Sequence, residues 1–568
     1  MLAAGLAVLS IGWFAFRRAP GASVLSERTA AGGKLVASLR SEPVTYNRYV
    51  DDKAAGGVLA MLTQAPLIRV NRTTDQLEPW LAESWTASAD GLTYTIQLRK
   101  GVTFSDGTPL TSADVVFSFR ALYDPRVNAV LAPAARVSGK PLRVSASDAT
   151  TVIVRFPAPF APGLRLIDTI PILPRHKLQA ALDAGEFAQA WGVGTAAGDM
   201  AGLGPFVLTE HLAGQRMVFS RNPHYWRKDA SGARLPYLDT LTFLIISDQN
   251  TEALRLQAGD TDLMSNADIR PEDYAVFKRL SDEGRLRLLD AGVGLDPSLL
   301  WFNLSPGHAA DPRNAWLRQK AFRQAVSCAV DRQAVVNAVY FGAAEPVFGP
   351  ITSANRTWYS PEKPACEYDL AKARQLLTTV GLRDRDGDGM LEDEAGTPAR
   401  FSILTQSGHI RSRTATVLQE QLRQIGLPVD VVTLAPGALV KRWTDQDYDS
   451  IYFGVQASAT DPALNPEFWF SAGHFHFWNP EQAAPSTGWE RRIDDLMRLQ
   501  SAAPMLTDRQ RAFAEVQHIL LDELPAIYFV APRLTLAVST RVTGAQPVPQ
   551  IPQLLWSADT LSASGPRR

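Results

Sequence analysis

Residues 91–115 read GLTYTIQLRKGVTFSDGTPLTSADV, and they hold three elements in a row. From Thr93 to Arg99 polar and apolar residues alternate strictly. Tyr94, Ile96 and Leu98 therefore share one side, the period of a half-buried strand. Ser105-Asp106-Gly107-Thr108-Pro109 has the composition of a turn. Thr111 then caps a helix, with Asp114 three residues on in the capping-box spacing, and Val115, Phe119 and Leu122 mark its apolar stripe.

The same mixture continues on both sides. Lys34–Leu39, 150–156 and 216–220 read as strands, and Ile245 to Leu256 passes from strand into helix, ending at Gly259. Residues 313–341 form two helical stretches, with Asp331 capping the second and Gly342 closing it. Asp369 caps a helix that ends at Gly381, and Arg411 to Ile425 is helical up to Gly426. Thr507, with Gln510 three on, caps a late helix that carries Phe513, Val516, Leu520 and Leu524 and stops at Pro525. Strands and helices interleave without a repeat, so the class is α/β.

At 568 residues the chain holds more than one domain or one large discontinuous fold. With 46% hydrophobic and 20% charged residues it can build a large core. A formal net charge of −1 gives no basic excess for phosphate backbones, which argues against a nucleic-acid partner. Met1 to Phe16 is almost wholly apolar and is followed by Arg17-Arg18 and small residues. The run is shorter than the roughly 20 residues that span a bilayer. Residues 1–32 are thus expected to be a secretory signal or an uncleaved anchor. Cys328 and Cys366 pair in one disulfide or stand as two buried thiols; both readings are open.

Local catalytic signatures are missing: no His-Glu-x-x-His, no Gly-x-Ser-x-Gly, no phosphate loop and no dinucleotide fingerprint occur. Asp384-Arg385-Asp386-Gly387-Asp388-Gly389 has the opening of a calcium loop. Its twelfth position is Ala395, however, where a bidentate carboxylate belongs, so an acidic turn is the plainer reading. His474 and His476 would share a face in a strand and could join a metal, but neither an acid nor a Cys is adjacent. The aromatic run from Phe468 to Trp478 fills core or walls a cleft.

The string from Leu77 to Phe119, including Leu81-Ala82-Glu83-Ser84-Trp85 and Arg99 to Val115, resembles the extracellular solute-binding proteins that serve oligopeptide, dipeptide and nickel importers. Further matching stretches are Gly202 to Phe206, Arg221 to Trp226, Arg323 to Ala325, Ala329 to Arg332, Tyr368 to Ala373 and Gln517 to Pro525. The resemblance implies a periplasmic-binding-protein-like α/β fold of the peptide-binding type, with two lobes around a hinged ligand cleft and an extra middle domain. Lobe I would comprise 33–73, 200–290 and 525–568, the middle domain 74–199, and lobe II 291–524. It implies a periplasmic monomer that closes over a peptide or small-molecule ligand and delivers it to an ABC permease and its ATPase. No catalysis, cofactor or metal is implied. The alternatives are the same fold carrying a sugar or metal chelate, the same clamp acting as a sensor, and an exported hydrolase.

In relatives that take peptides, the ligand lies extended in the cleft and an acid pins its free amine. The strand Tyr448 to Gly454 and the segment Val455 to Pro462 match that region. The position of the amine-binding acid falls on Ser458, and the nearest carboxylate is Asp461. A buried ammonium without a carboxylate is costly. Either Asp461 swings in or the ligand lacks a free α-amine. Gly454, Gln456, Ser458 and Asp461 are therefore expected at the ligand, with Tyr46, Asn47, Trp301, Asn303, Trp443 and Trp469 as further candidates that also fit a core role.

Overall fold

The computed structural model describes residues 32–51, 53–306, 311–458 and 460–565, and the side chains of 266–268 and 409 are not described. The expected N-terminal signal or anchor, residues 1–32, lies almost wholly outside them.

The first large sheet is built around Lys34–Leu39, whose last five residues are all buried. A strand covered on both faces needs such a near-continuous apolar run. It pairs in parallel with Thr240–Ile245 and with Leu263–Asp268. Arg216–Arg221 and Phe206–Leu212 extend the sheet on one side, and Val530–Ser539 and Leu286–Val293 extend it on the other, with Ala344–Pro346 also pairing to Val530–Ser539.

The second large sheet runs in the order Val429–Leu434, Phe401–Gln406, Ser450–Gly454, Ser298–Phe302 and Ala526–Tyr528. A third, antiparallel sheet consists of Ala82–Ala87, Thr93–Leu98, Thr151–Arg155 and Arg143–Asp148. Ile96 and Leu98 are buried in it and Tyr94 is half-buried, as the alternation predicts. The helix Ser112–Tyr123 packs on this sheet and begins with the expected capping box, the Thr111 N–H donating to Asp114 Oδ2 at 2.9 Å. Asp114 Oδ1 accepts from Arg175 N at 3.0 Å, so one carboxylate fixes two helix starts.

Apart from the short excursion at Ala344–Pro346, the chain passes between the two large sheets at two neighbouring places. One is the connector from Val293 to Ser298. At the other, a strand of the second sheet ends at Tyr528, one of the first begins at Val530, and only the fully buried Phe529 lies between. The strand just after Pro525 thus still belongs to the second sheet, because Ala526, Ile527 and Tyr528 are all buried against Leu299–Trp301. The third sheet's surroundings also touch the second half of the chain. Ala161 N donates to the Ser501 carbonyl at 2.7 Å, and the Thr357 hydroxyl donates to Asp75 at 3.3 Å.

Two local readings resolve differently from expectation or from an open choice. The late helix spans Leu506–Glu523 with Met505 at its cap, so Thr507 lies inside the first turn. Cys328 and Cys366 form a disulfide with Cα atoms 5.3 Å apart, which selects one of the two alternatives.

A candidate ligand cleft between the two large sheets

A cavity of about 560 Å³ lies between the two large sheets. Arg40, Ile269, Arg270 and Leu534 face it from the first sheet's side. Tyr452, Phe453, Gly454 and Arg411 face it from the second, and Asp296 and Pro532 lie at the crossing. Its size falls in the range of about 300–1,000 Å³ typical of small-ligand sites.

The charges in this cleft are of two kinds. Some are engaged within the protein: Arg270 pairs with Asp273 at 2.6 Å and Arg533 with Glu345 at 2.6 Å. Arg40 is held by Glu252, a fully buried carboxylate whose other oxygen accepts from Ser38 at 2.6 Å. Others keep their charge for the cavity. Arg411 stands in the first turn of the helix His409–Arg423, which has no side-chain cap. Its Nη1 donates to Gln406 Oε1 at 3.0 Å, and its guanidinium lies 4.1 Å over the Phe453 ring. Among the described residues it forms no ion pair. Burial lowers its pKa from the ordinary arginine value, opposed by Tyr452, Tyr340 and Asp296. Burial raises the Asp296 carboxyl above its ordinary value, with Arg411 pulling the other way. A guanidinium at an uncapped helix start favours an anion. A carboxylate held short of a full partner favours a cation.

The sequence profile of the bacterial extracellular solute-binding proteins, family 5 Middle, matches residues 76–477. The chain belongs to family 5 of the bacterial extracellular solute-binding proteins. It is 26% identical over 545 residues to a protein of Deinococcus radiodurans named probable ABC transporter-binding protein, covering 92% of this chain and 90% of that one. It is 29% identical over 443 residues to the oligopeptide-binding protein AppA of Bacillus subtilis, covering 75% of this chain and 74% of AppA. The crystal structure of the ABC transporter substrate binding protein CtaP from Listeria monocytogenes superposes with a TM-score of 0.77 at 23% identity, over 94% of this chain and all of that one, which shows the shared fold.

Within this family 5 protein the residues expected at the ligand separate into several groups. Gly454 lines the cleft, Gln456 is exposed just beyond it, and Ser458 is 7% exposed with a hydroxyl that has no hydrogen-bond partner among the described residues. Asp461 is engaged within the protein. It is buried and bound by Arg509 Nη2 at 2.6 and 2.7 Å, with Gln500 Nε2 donating at 3.1 Å, so it is not a free acid that can swing in. Asn47 and Asn303 are also structural. Asn47 bridges Phe187 O and Tyr49 N, and Asn303 donates to Gln446 O and Tyr448 O. The Tyr46 hydroxyl meets His211 Nδ1 at 2.5 Å and Val193 O at 3.2 Å, away from the cleft lining.

Trp301, Trp443 and Trp469 belong to one buried cluster. Trp301 stacks on Phe477 with ring centres 4.8 Å apart, Trp443 donates to Phe477 O, and Trp469 meets Phe513 edge-on at 5.0 Å. Phe468, Trp469, Phe477 and Trp478 of the aromatic run are core beneath the second sheet, and Phe475 is exposed. His474 and His476 turn to different carboxylates, Glu481 at 2.8 Å and Glu490 at 3.4 Å. In the acidic turn, Asp384, Asp386, Asp388 and Glu392 place oxygens within 4.8 Å of one another, and each also accepts a backbone N–H of the same loop.

Sequence reading missed Arg411 and Asp296. The signal for Arg411 was a cation opening a helix directly after the strand that ends at Gln406. Asp296 had no local signal, since it matters only through the crossing it occupies.

Proposed function

We propose that this protein is the substrate-binding component of an ABC importer and that it closes over a short peptide or peptide-like zwitterion. The carrying observation is the pair of opposite charges in the cleft. Arg411 is placed for a carboxylate and Asp296 for an ammonium, and Asp296 takes over what neither Ser458 nor Asp461 can supply. The name of the Bacillus relative supports an oligopeptide-class solute, and that of the Deinococcus relative supports an ABC transporter-binding role. In this reading lobe I comprises 33–73, 200–290 and 530–568, the middle domain 74–199 and lobe II 291–528, the strand Ala526–Tyr528 staying with the second sheet. Closure is favoured by contacts that the ligand makes to both lobes at once. The solute leaves chemically unchanged, and the closed monomer docks on a permease with its ATPase. Residues 1–32 act as the export signal or anchor. No helix among the described residues is long and apolar enough to cross a membrane.

Mass spectrometry of molecules released from gently purified protein tests the ligand class, with short peptides expected. X-ray scattering during titration with the recovered molecule tests the clamp. An unchanged radius of gyration at saturation, or conversion of the molecule into product, would remove the reading.

A further inference from the structure

A second cavity, of about 200 Å³, lies outside the cleft. The helix Ala54–Thr63, the hairpin Ile68–Pro79 and the C-terminal turn Leu555–Thr560 enclose it. Trp80, Trp556, Met61 and Pro171 give it apolar walls. Most charges around it are matched. Arg69 pairs with Glu78 and stacks 3.7 Å from the centre of Trp80. Asp559 pairs with Arg227 and accepts the Tyr225 hydroxyl at 3.0 Å.

Two charges are left short of each other. Arg72 donates to the carbonyls of Gln550 and Ile551 at 3.4 and 3.1 Å and touches Met61 Sδ at 3.9 Å. Asp168 accepts from Val70 N at 3.2 Å. Neither forms an ion pair among the described residues. Burial brings Arg72 down to about 10 and lifts Asp168 to about 6, against the attraction of Arg72 and Arg69. A third group has unused capacity: Gln64 is 7% exposed, stands between this cavity and a smaller neighbouring one, and among the described residues has no partner for its Oε1. Buried polar groups without partners are uncommon in folded proteins and call for an explanation.

We propose that this cavity is a second binding site, for a free α-amino acid with an apolar side chain. The carboxylate sits on Arg72, the ammonium on Asp168 and Gln64 Oε1, and the side chain against Met61, Ala65 and Pro171, because Arg69 occupies the space between Trp80 and Trp556. A void of about 150 Å³ takes a benzene-sized guest, so this one accommodates leucine or phenylalanine. A zwitterion satisfies both unmatched charges at once, which a simple anion does not. The site lies on the first-lobe and middle-domain side, so it does not depend on the reading of the cleft.

Calorimetric titration of the full chain with L-leucine tests the proposal, using 4-methylpentanoate as the amine-free probe. Gly57 lines the cavity, and a Cβ added there meets nothing within 4 Å, so Gly57→Phe plugs the space without removing a charge. Leucine affinity is expected to fall by roughly tenfold or more in Gly57→Phe and in Arg72→Gln, to persist in the cleft variant Arg411→Gln, and to exceed that of 4-methylpentanoate by about tenfold. Thermal denaturation of Gly57→Phe checks that it is folded, and Arg72→Gln serves if it is not. Absence of leucine binding at millimolar concentration overturns the proposal. So does binding lost in Arg411→Gln but kept in Gly57→Phe, which places leucine in the cleft. Equal affinity for 4-methylpentanoate overturns the zwitterion assignment.

Discussion

Arg509 grips Asp461 with one nitrogen against both carboxylate oxygens, at 2.6 and 2.7 Å, in surroundings that leave the aspartate 3% and the arginine 6% exposed. The acid nearest the expected amine position thus ties the loop after the strand Ser450–Gly454 to the helix Leu506–Glu523.

Asp461→Asn leaves Arg509 buried without its counter-charge. Breaking such a pair costs about 3–5 kcal/mol. Urea denaturation is expected to show that loss while ligand affinity stays within a factor of about two. A large rise in Kd at unchanged stability returns Asp461 to the ligand.

Arg411→Gln removes a cation that forms no ion pair among the described residues. A hydrogen bond to a charged group is worth about 1.5–3 kcal/mol, so the Kd of the natural ligand is expected to rise by roughly tenfold to a hundredfold. Stability should change little, because the variant breaks no ion pair. Tryptophan emission during titration reads the affinity, and an unchanged Kd removes Arg411 from the site.

Asp296 gives the cleft a pH dependence of known sign. Burial raises its folded-state pKa above 3.8, so the folded protein binds this proton more tightly than the unfolded chain. Its contribution to stability is greatest at low pH and declines as pH rises through the raised pKa. Binding of a ligand ammonium runs the other way, since it needs the carboxylate. Affinity is expected to fall on acidification at a higher pH than an ordinary aspartate gives, and Asp296→Asn should flatten that fall. A wild-type profile that the variant reproduces excludes Asp296.

The Cys328–Cys366 disulfide spans 38 residues of sequence. Loop closure of that length stabilises by about 4 kcal/mol in the chain-entropy account. Denaturation with and without reductant measures the loss. Because the bond lies away from the cleft lining, ligand affinity of the reduced protein is expected to match that of the oxidised one at low denaturant.

Local features read well from the chain because their partners are local. The Thr111–Asp114 box, the Asp331 cap on Ala334 N and the Asp369 cap on Lys372 N each depend on residues three apart. The cleft did not read this way. Arg411, Asp296 and Arg40 come from separate segments and become neighbours only when two sheets face each other. The partner of Asp461 was hidden for the same reason, since Arg509 lies 48 residues away. The tryptophans were ambiguous by chemistry, because a cleft wall and a buried cluster call for the same side chains.

The single residue Phe529 between two strands of different sheets allows almost no slack. With the short connector from Val293 to Ser298 beside it, this residue makes a narrow spine, about which the halves are expected to turn as pages do at a binding. Cleft residues near this spine, such as Asp296 and Pro532, then travel least.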